Sequence, residues 1–176
     1  PEIQGLPAYA NIKDAPGPID LAIIAVPASL AVQALQDCAD AGVKGVVMFS
    51  SGFAEIGEEG AAAQSQMQDI ARKSGLRLMG PNCLGFMNIE EKIFATFAPV
   101  VKAGVAPKGR IGLVSQSGAF GGFAFGTFRA FSGCGGCRPA RSEGPETVVR
   151  VEGHPDWFLG QYRVNPSIRT TCTFVR

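Results

Sequence analysis

The chain has 176 residues, of which 46% are apolar and 18% charged, and its net charge at pH 7 is +1. This balance is typical of a soluble globular protein and argues against a nucleic-acid or membrane partner. No apolar run approaches the roughly 18 residues of a membrane span, and five cysteines without regular spacing predict reduced thiols in the cytoplasm.

Three short apolar stretches, each followed by a loop, occupy the first half of the chain. The first, "LAIIAV" at 21–26, is apolar throughout and predicts a strand buried on both faces. The stretches "VKGVVMF" at 43–49 and "LRLM" at 76–79 predict the next two strands. Helical patterns separate the three, and this alternation predicts a parallel α/β sheet.

Two helices are predicted between these strands. The first, "ASLAVQALQDCADAG", starts after Pro27 and ends at Gly42. The second, "AAAQSQMQDIARKSG", ends at Gly75. The apolar face of the first helix is predicted to contain Leu30, Ala34, Leu35 and Cys38.

The loops after the three strands are polar or rich in glycine. Because the carboxyl ends of parallel strands meet at one edge, we expect Val26, Ser50 and Asn82 to lie near one another there. The motif "FSSGF" at 49–53 suits a ligand and suits helix capping equally well. The motif "GPNCLG" at 80–85 has more turn residues than an ordinary turn needs, which indicates a loop shaped to meet a ligand.

The pattern restarts after a connector, 86–107, that has little periodicity. From about Lys108, "GRIGLV" predicts a strand, "SQSGAFGG" a turn and "FAFGTFRAF" a helix. The residues Ser115, Gln116, Ser117 and Gly118 stand where free N–H groups favour an anion. An ordinary strand-to-helix turn is the other interpretation of this junction.

The candidates for nucleophiles and metal ligands are few. Cys83 is interpreted as a small buried thiol rather than a nucleophile, because His154, the one histidine, lies in an irregular tail. The motif "CGGC", with Cys134 and Cys137, suits half of a zinc site or a redox pair, but no second such motif accompanies it. No residue is therefore assigned a catalytic or metal-binding role.

Several motifs together resemble one enzyme family. In order, "GPNCLGFMN", "IFATFAP" and "GRIGLVSQSGAFG" are similar to the ADP-forming (NDP-forming) acyl-CoA synthetases, relatives of the succinyl-CoA synthetase α subunit. The stretches "GLPAYANIKDAPGPIDLAIIAVPA" and "SSGFAEIGEEG" resemble the CoA-binding domain of that family. The resemblance covers about residues 3–129. It implies a Rossmann-like CoA-binding domain followed by the start of a flavodoxin-like α/β domain.

The resemblance also implies site residues, which fall into two groups. Ser117 and Gly118 correspond to a helix start that faces a phosphohistidine. Asn82 and Cys83 correspond to the loop near the CoA thiol. The positions that correspond to the lining of the CoA site are Val26, Pro27, Phe49, Ser50 and Ser51.

The implied reaction interconverts acyl-CoA, ADP and phosphate with free acid, ATP and CoA. ATP or ADP, Mg²⁺ and the acyl substrate would be handled with an ATP-grasp domain or subunit that this chain does not contain. The first strand of the family and its Gly-rich CoA loop would precede Pro1. The resemblance therefore implies a fragment that binds CoA weakly and is inactive alone.

The expected domains are a partial CoA-binding domain at 1–85, the connector at 86–107 and the start of the second domain at 108–176. Within the last, the stretch 130–155 is rich in Arg, Gly, Cys and Pro, is expected to be irregular and suggests a shifted reading frame. Two other functions remain open, namely the CoA-binding module of a protein-lysine acetyltransferase and a non-catalytic CoA-sensing module. A nicotinamide-dependent oxidoreductase is disfavoured, because GxGxxG is absent.

Overall fold

The computed structural model describes residues 1–104, 111–115, 117–132 and 147–151. The chain divides into two compact units, Pro1–Cys83 and Leu84–Arg176. The boundaries at 85 and 107 that the sequence predicts for the domains stay a prediction.

The first unit is built on a three-stranded parallel sheet with two helices, as the alternating sequence pattern predicts. The elements are β1 (Glu2–Ile3), β2 (Leu6–Pro7), β3 (Leu21–Ile24), α1 (Ala28–Asp40), β4 (Gly45–Met48), α2 (Glu58–Ser74) and β5 (Arg77–Met79). The strand order of the sheet is sequential, β3-β4-β5, and Leu21 pairs with Gly45, which in turn pairs with Arg77. A short antiparallel pair, β1-β2, precedes the sheet.

The core of this unit lies between one face of the sheet and both helices. Right-handed crossovers between strands in sequential order place both helices on the same face. Apolar side chains from β3 and β4 therefore pack against α1 and α2. The buried members of this core are Ile24, Ala31, Leu35, Cys38, Val43, Val46, Met48, Phe53, Met67 and Leu76.

The structure corrects the prediction that the first strand is buried on both faces. The side chains of Leu21 and Ile23 are 37% and 48% exposed, whereas Ile24 is buried. In the described part of the chain, β3 is an edge strand, and α1 and α2 cover only the face that carries Ile24. An apolar composition could not reveal which neighbours cover each face. Leu30 is likewise 56% exposed rather than on the apolar face of α1.

The second unit contains regular structure where the sequence predicted a connector. The strands β6 (Gly85–Asn88) and β7 (Ile93–Thr96) form an antiparallel hairpin, and a 3₁₀ helix covers Pro99–Ala103. The assignment of 86–107 as a connector between two domains stays a prediction. The four-residue loop of the hairpin ends at Lys92, whose φ is +56°. Charged residues, rather than glycine, occupy most of this loop, so the hairpin signal was weak.

After the hairpin come β8 (Ile111–Ser115), α3 (Gly118–Ser132) and β9 (Thr147–Val151). β9 pairs in parallel with β8, Ile111 opposite Thr147. Residues 147–151 thus form a strand inside the stretch 130–155 that was expected to be irregular, and the sequence "TVVRV" is mostly β-branched, which favours a strand. The remaining parts of the stretch 130–155 for which a shifted reading frame is suggested, 133–146 and 152–155, lie outside the described residues, as does 156–176.

Candidate functional site

The candidate site lies at the carboxyl edge of the three-stranded sheet of the first unit. Because the strands are parallel and in register, their last residues Ile24, Met48 and Met79 stand at the same edge. The loops that follow them begin at Ala25, Phe49 and Gly80. The edge therefore gathers the three segments in which the sequence predicted ligand-binding residues.

Ser50 joins the loop after β4 to the loop after β3. Its hydroxyl donates to the carbonyl oxygen of Val26 at 2.5 Å and accepts from the Val26 N–H at 3.2 Å. The N–H of Phe49 donates to the Ile24 carbonyl at 2.9 Å, which extends the ladder of the sheet. Ser50 is buried, and its hydroxyl proton is donated to the Val26 carbonyl. The hydroxyl therefore holds the two loops together.

The "GPNC" loop is attached to the same point. The N–H of Asn82 donates to the Ser50 carbonyl at 2.8 Å, so Val26, Ser50 and Asn82 are linked in one group, as the sequence predicts. Asn82 has φ of +53°, a left-handed conformation that asparagine adopts more readily than most residues. The peptide bond between Gly80 and Pro81 is cis.

Gly80 and Cys83 show why the loop needs these residue types. Gly80 has φ of +98°, and a Cβ there would lie 2.5 Å from the carbonyl oxygen of Met48. Cys83 is 3% exposed, and its Sγ lies 3.4 Å from the same carbonyl oxygen. The interpretation of Cys83 as a small buried thiol is confirmed by this burial. Its relation to a CoA thiol stays a prediction.

Glu55 belongs to this group but was missed in the sequence. One carboxylate oxygen, Oε1, accepts from the backbone N–H of Gly52 at 2.8 Å and from the side-chain Nδ2 of Asn82 at 3.3 Å. The first contact is local, and an acid three residues after a glycine is a weak signal. The second spans 27 positions and depends on the register of the sheet.

The remaining predicted residues at this edge differ in exposure. Pro27 and Ser51 are exposed, whereas Val26 and Phe49 are half-buried. Pro27 directly precedes α1, and no side chain in the described part of the chain caps the N-terminus of that helix. Backbone N–H groups at such an uncapped terminus, with the helix dipole, favour a negatively charged group. The edge thus offers exposed neutral side chains, an amide and a helix start.

Ser117 and Gly118 lie in the second unit, at the start of α3. The Ser117 hydroxyl accepts from the N–H of Phe120 at 3.3 Å, which caps the helix. The buried hydroxyl of Ser115 donates to the Ser117 carbonyl at 2.9 Å and accepts from its N–H at 3.2 Å. The two hydroxyls therefore shape the strand-to-helix turn. Gln116 lies outside the described residues.

The other candidates of the sequence, Cys134, Cys137 and His154, also lie outside the described residues. Across residues 1–104 and the shorter described segments, no three His, Cys, Asp or Glu side chains are grouped so that they could hold a metal ion. A search of the same residues finds no helix with the length and apolar character to span a membrane.

Comparison with known proteins identifies relatives of the chain. The family described as "CoA binding domain" matches residues 1–89. The α subunit of acetate–CoA ligase [ADP-forming] II from Pyrococcus furiosus is 47% identical over 120 residues, which is 68% of this chain and 25% of the relative. Succinate–CoA ligase [ADP-forming] subunit alpha 2 from Archaeoglobus fulgidus is 30% identical over 66% of this chain and 38% of the relative.

A solved structure agrees with these matches. The acetyl-coenzyme A synthetase 1 of Ca. Korarchaeum cryptofilum, in complex with phosphate and ADP, superposes with a TM-score of 0.65 at 33% identity. The match covers 73% of this chain and 26% of that chain. The chain therefore spans well under half the length of each of these three proteins.

Proposed function

Because the chain belongs to the CoA-binding domain family, and specifically to the ADP-forming acyl-CoA synthetases, we propose that its carboxyl sheet edge binds coenzyme A. The observation that carries the proposal is the hydrogen-bonded group of Val26, Ser50 and Asn82 at that edge. These residues come from three loops that a parallel sheet brings together at the position where open α/β sheets bind ligands.

The chemistry of the edge fits CoA. The pantetheine arm of CoA is a narrow chain with two amide groups and a thiol, and it needs a few neutral hydrogen-bonding partners. Asn82 and Ser51 supply such partners, and Pro27 supplies an exposed apolar contact. The phosphates of CoA carry negative charge, which the uncapped N-terminus of α1 favours.

Two kinds of residue contribute to this proposed site. Pro27, Ser51 and Asn82 would contact the ligand, with Val26 and Phe49 as half-buried lining. Ser50 and Cys83 would act beneath the surface, because both are buried and their polar atoms lie against backbone groups. Cys83 keeps the volume under the Asn82 loop small, beside the proposed location of the CoA thiol.

For the whole protein we propose an ADP-forming acid–CoA ligase, which converts acyl-CoA, ADP and phosphate to carboxylic acid, ATP and CoA through a phosphohistidine. An ATP-grasp domain or subunit would bind the nucleotide and Mg²⁺, and Ser117 and Gly118 would face the phosphohistidine. The domain boundaries 1–85, 86–107 and 108–176 belong to this proposal. The relatives named above are ligases, which favours this function over an acetyltransferase module.

Titration of the ¹⁵N-labelled chain with CoA, followed by NMR, tests the proposal and detects even millimolar binding. We expect the shifted amide signals to come from Val26 and Ala28, from 49–52, and from Gly80, Asn82 and Cys83, since proline at 27 and 81 has no N–H. Asn82→Ala should weaken binding about 3- to 10-fold, the effect of one hydrogen bond. The control Ser65→Ala, on the exposed surface of α2, should leave affinity unchanged. Saturating CoA without shifts at these loops contradicts the proposal.

A further inference from the structure

The carboxylate of Glu55 lies between two segments of the loop cluster. The loop after β4 contributes the N–H of Gly52, and the loop after β5 contributes the Nδ2 of Asn82, and both donate to the single oxygen Oε1. Gly52 itself has φ of +99° and packs closely on α1, since a Cβ there would lie 3.2 Å from the Cβ of Ala28. Glu55 is thus anchored to a backbone with little room to move.

The contact with Glu55 fixes the orientation of the Asn82 amide. An ionised carboxylate only accepts hydrogen bonds, so the NH₂ group of Asn82 must turn toward it. The carbonyl oxygen Oδ1 then points away from Glu55. Within the described residues this oxygen has no hydrogen-bond donor. The backbone of Asn82 is held as well, through its N–H bond to the Ser50 carbonyl.

We propose that Glu55 is a positioning residue that presents the Asn82 carbonyl oxygen to an N–H or S–H donor on the pantetheine arm of CoA. This inference rests on the proposed CoA binding. Its physical basis is pre-organisation: an amide that is already oriented loses less rotational freedom when the ligand binds. Glu55 contacts no ligand in this scheme and acts through Asn82.

The test uses the 176-residue chain and compares Glu55→Ala with Glu55→Gln. The side-chain oxygen of Gln can accept the two hydrogen bonds that Oε1 of Glu55 accepts from Gly52 and Asn82. We expect Glu55→Ala to weaken binding of CoA and of pantetheine about 3- to 10-fold, the cost of ordering one side chain. Glu55→Gln should stay within about twofold of wild type. Glu58→Ala, three positions away and exposed, controls for the loss of a negative charge.

Two readouts separate positioning from a structural effect. In the Asn82→Ala background, Glu55→Ala should cause no further loss of affinity, because the group through which it acts is gone. In the ligand-free chain, the NMR signals of the Asn82 side-chain NH₂ group should change position in Glu55→Ala. In Glu55→Gln they should stay at their wild-type positions.

The inference is overturned if Glu55→Ala lowers the affinity for CoA equally in the wild-type and Asn82→Ala backgrounds, or if Glu55→Gln lowers it as much as Glu55→Ala. Either result leaves the proposal that the chain binds CoA standing. Unchanged affinity in Glu55→Ala overturns the inference too. A wild-type chain that shows no CoA shifts at all refutes the proposed function instead, and the role of Glu55 toward CoA falls with it.

Discussion

The hydroxyl of Ser50 forms hydrogen bonds with both backbone groups of Val26: it accepts from the N–H and donates to the C=O. It thereby takes the place of a neighbouring strand as the hydrogen-bond partner of Val26. These two backbone groups lie past the end of β3, where the ladder of the parallel sheet stops. One side chain from the neighbouring loop therefore holds the first segment of the candidate site in place. The relationship makes Ser50 a structural residue within a binding loop.

Ser50→Ala should destabilise the chain by about 1–3 kcal/mol, because it leaves two partly buried backbone groups of Val26 without partners. Urea unfolding at fixed protein concentration measures the change. Ser51→Ala is the matched control, since Ser51 is exposed and its loss should change stability by less than about 0.5 kcal/mol. Equal effects of the two substitutions would contradict the structural role assigned to Ser50.

Gly80→Ala should be more damaging than Gly42→Ala. Both glycines have positive φ, +98° and +73°, but only Gly80 faces a backbone atom, the Met48 carbonyl oxygen. Gly42→Ala should cost about 1–2 kcal/mol in backbone conformation, and Gly80→Ala at least about 2 kcal/mol, because the contact adds to that cost. Thermal unfolding of both variants gives the comparison. Identical midpoints would mean that the close approach at Gly80 has no energetic effect.

Cys83 should react slowly with iodoacetamide in the folded chain. Its burial and the contact of Sγ with the Met48 carbonyl leave little access to the sulfur. We expect alkylation at least about 10²-fold slower than in the chain unfolded in urea, because reaction requires the loop to open. Mass spectrometry of the peptide that contains residue 83 measures the rate. Labelling at the unfolded rate would restore Cys83 as a candidate nucleophile.

The stability of the chain should fall at alkaline pH through Cys38. Burial raises the pKa of this thiol, and the charge of Asp37 raises it further. The unfolded chain therefore releases the proton first, so this contribution is complete below about pH 8.5 and is lost as the pH rises toward the higher pKa of the folded chain.

Urea unfolding between pH 7 and 10 tests this, with Cys38→Ala as the comparison. The free energy of unfolding should decrease more steeply with pH in the wild type than in Cys38→Ala. Parallel curves for the two proteins would show that the Cys38 thiol titrates alike in the folded and unfolded chains.

The sequence by itself determined the three parallel strands and the two helices of the first unit, and the edge at which their loops meet. Short apolar runs separated by amphipathic helices specify parallel strands, because backbone hydrogen bonding and burial act on every residue of the pattern. The end of α2 is also predictable from the sequence, because Gly75 readily adopts the left-handed conformation that terminates the helix. Resemblance of motifs then identified the family.

Only the tertiary structure decided which side chains pair across the loops and which faces are covered. Ser50 meets Val26 across 24 positions, and Glu55 meets Asn82 across 27. Such pairs depend on strand register and loop conformation, which no local pattern encodes. For the same reason Ile23 is apolar in sequence and half exposed in the fold. Burial of a side chain is a property of its neighbours in space, and those neighbours are fixed only when the sheet and helices pack together.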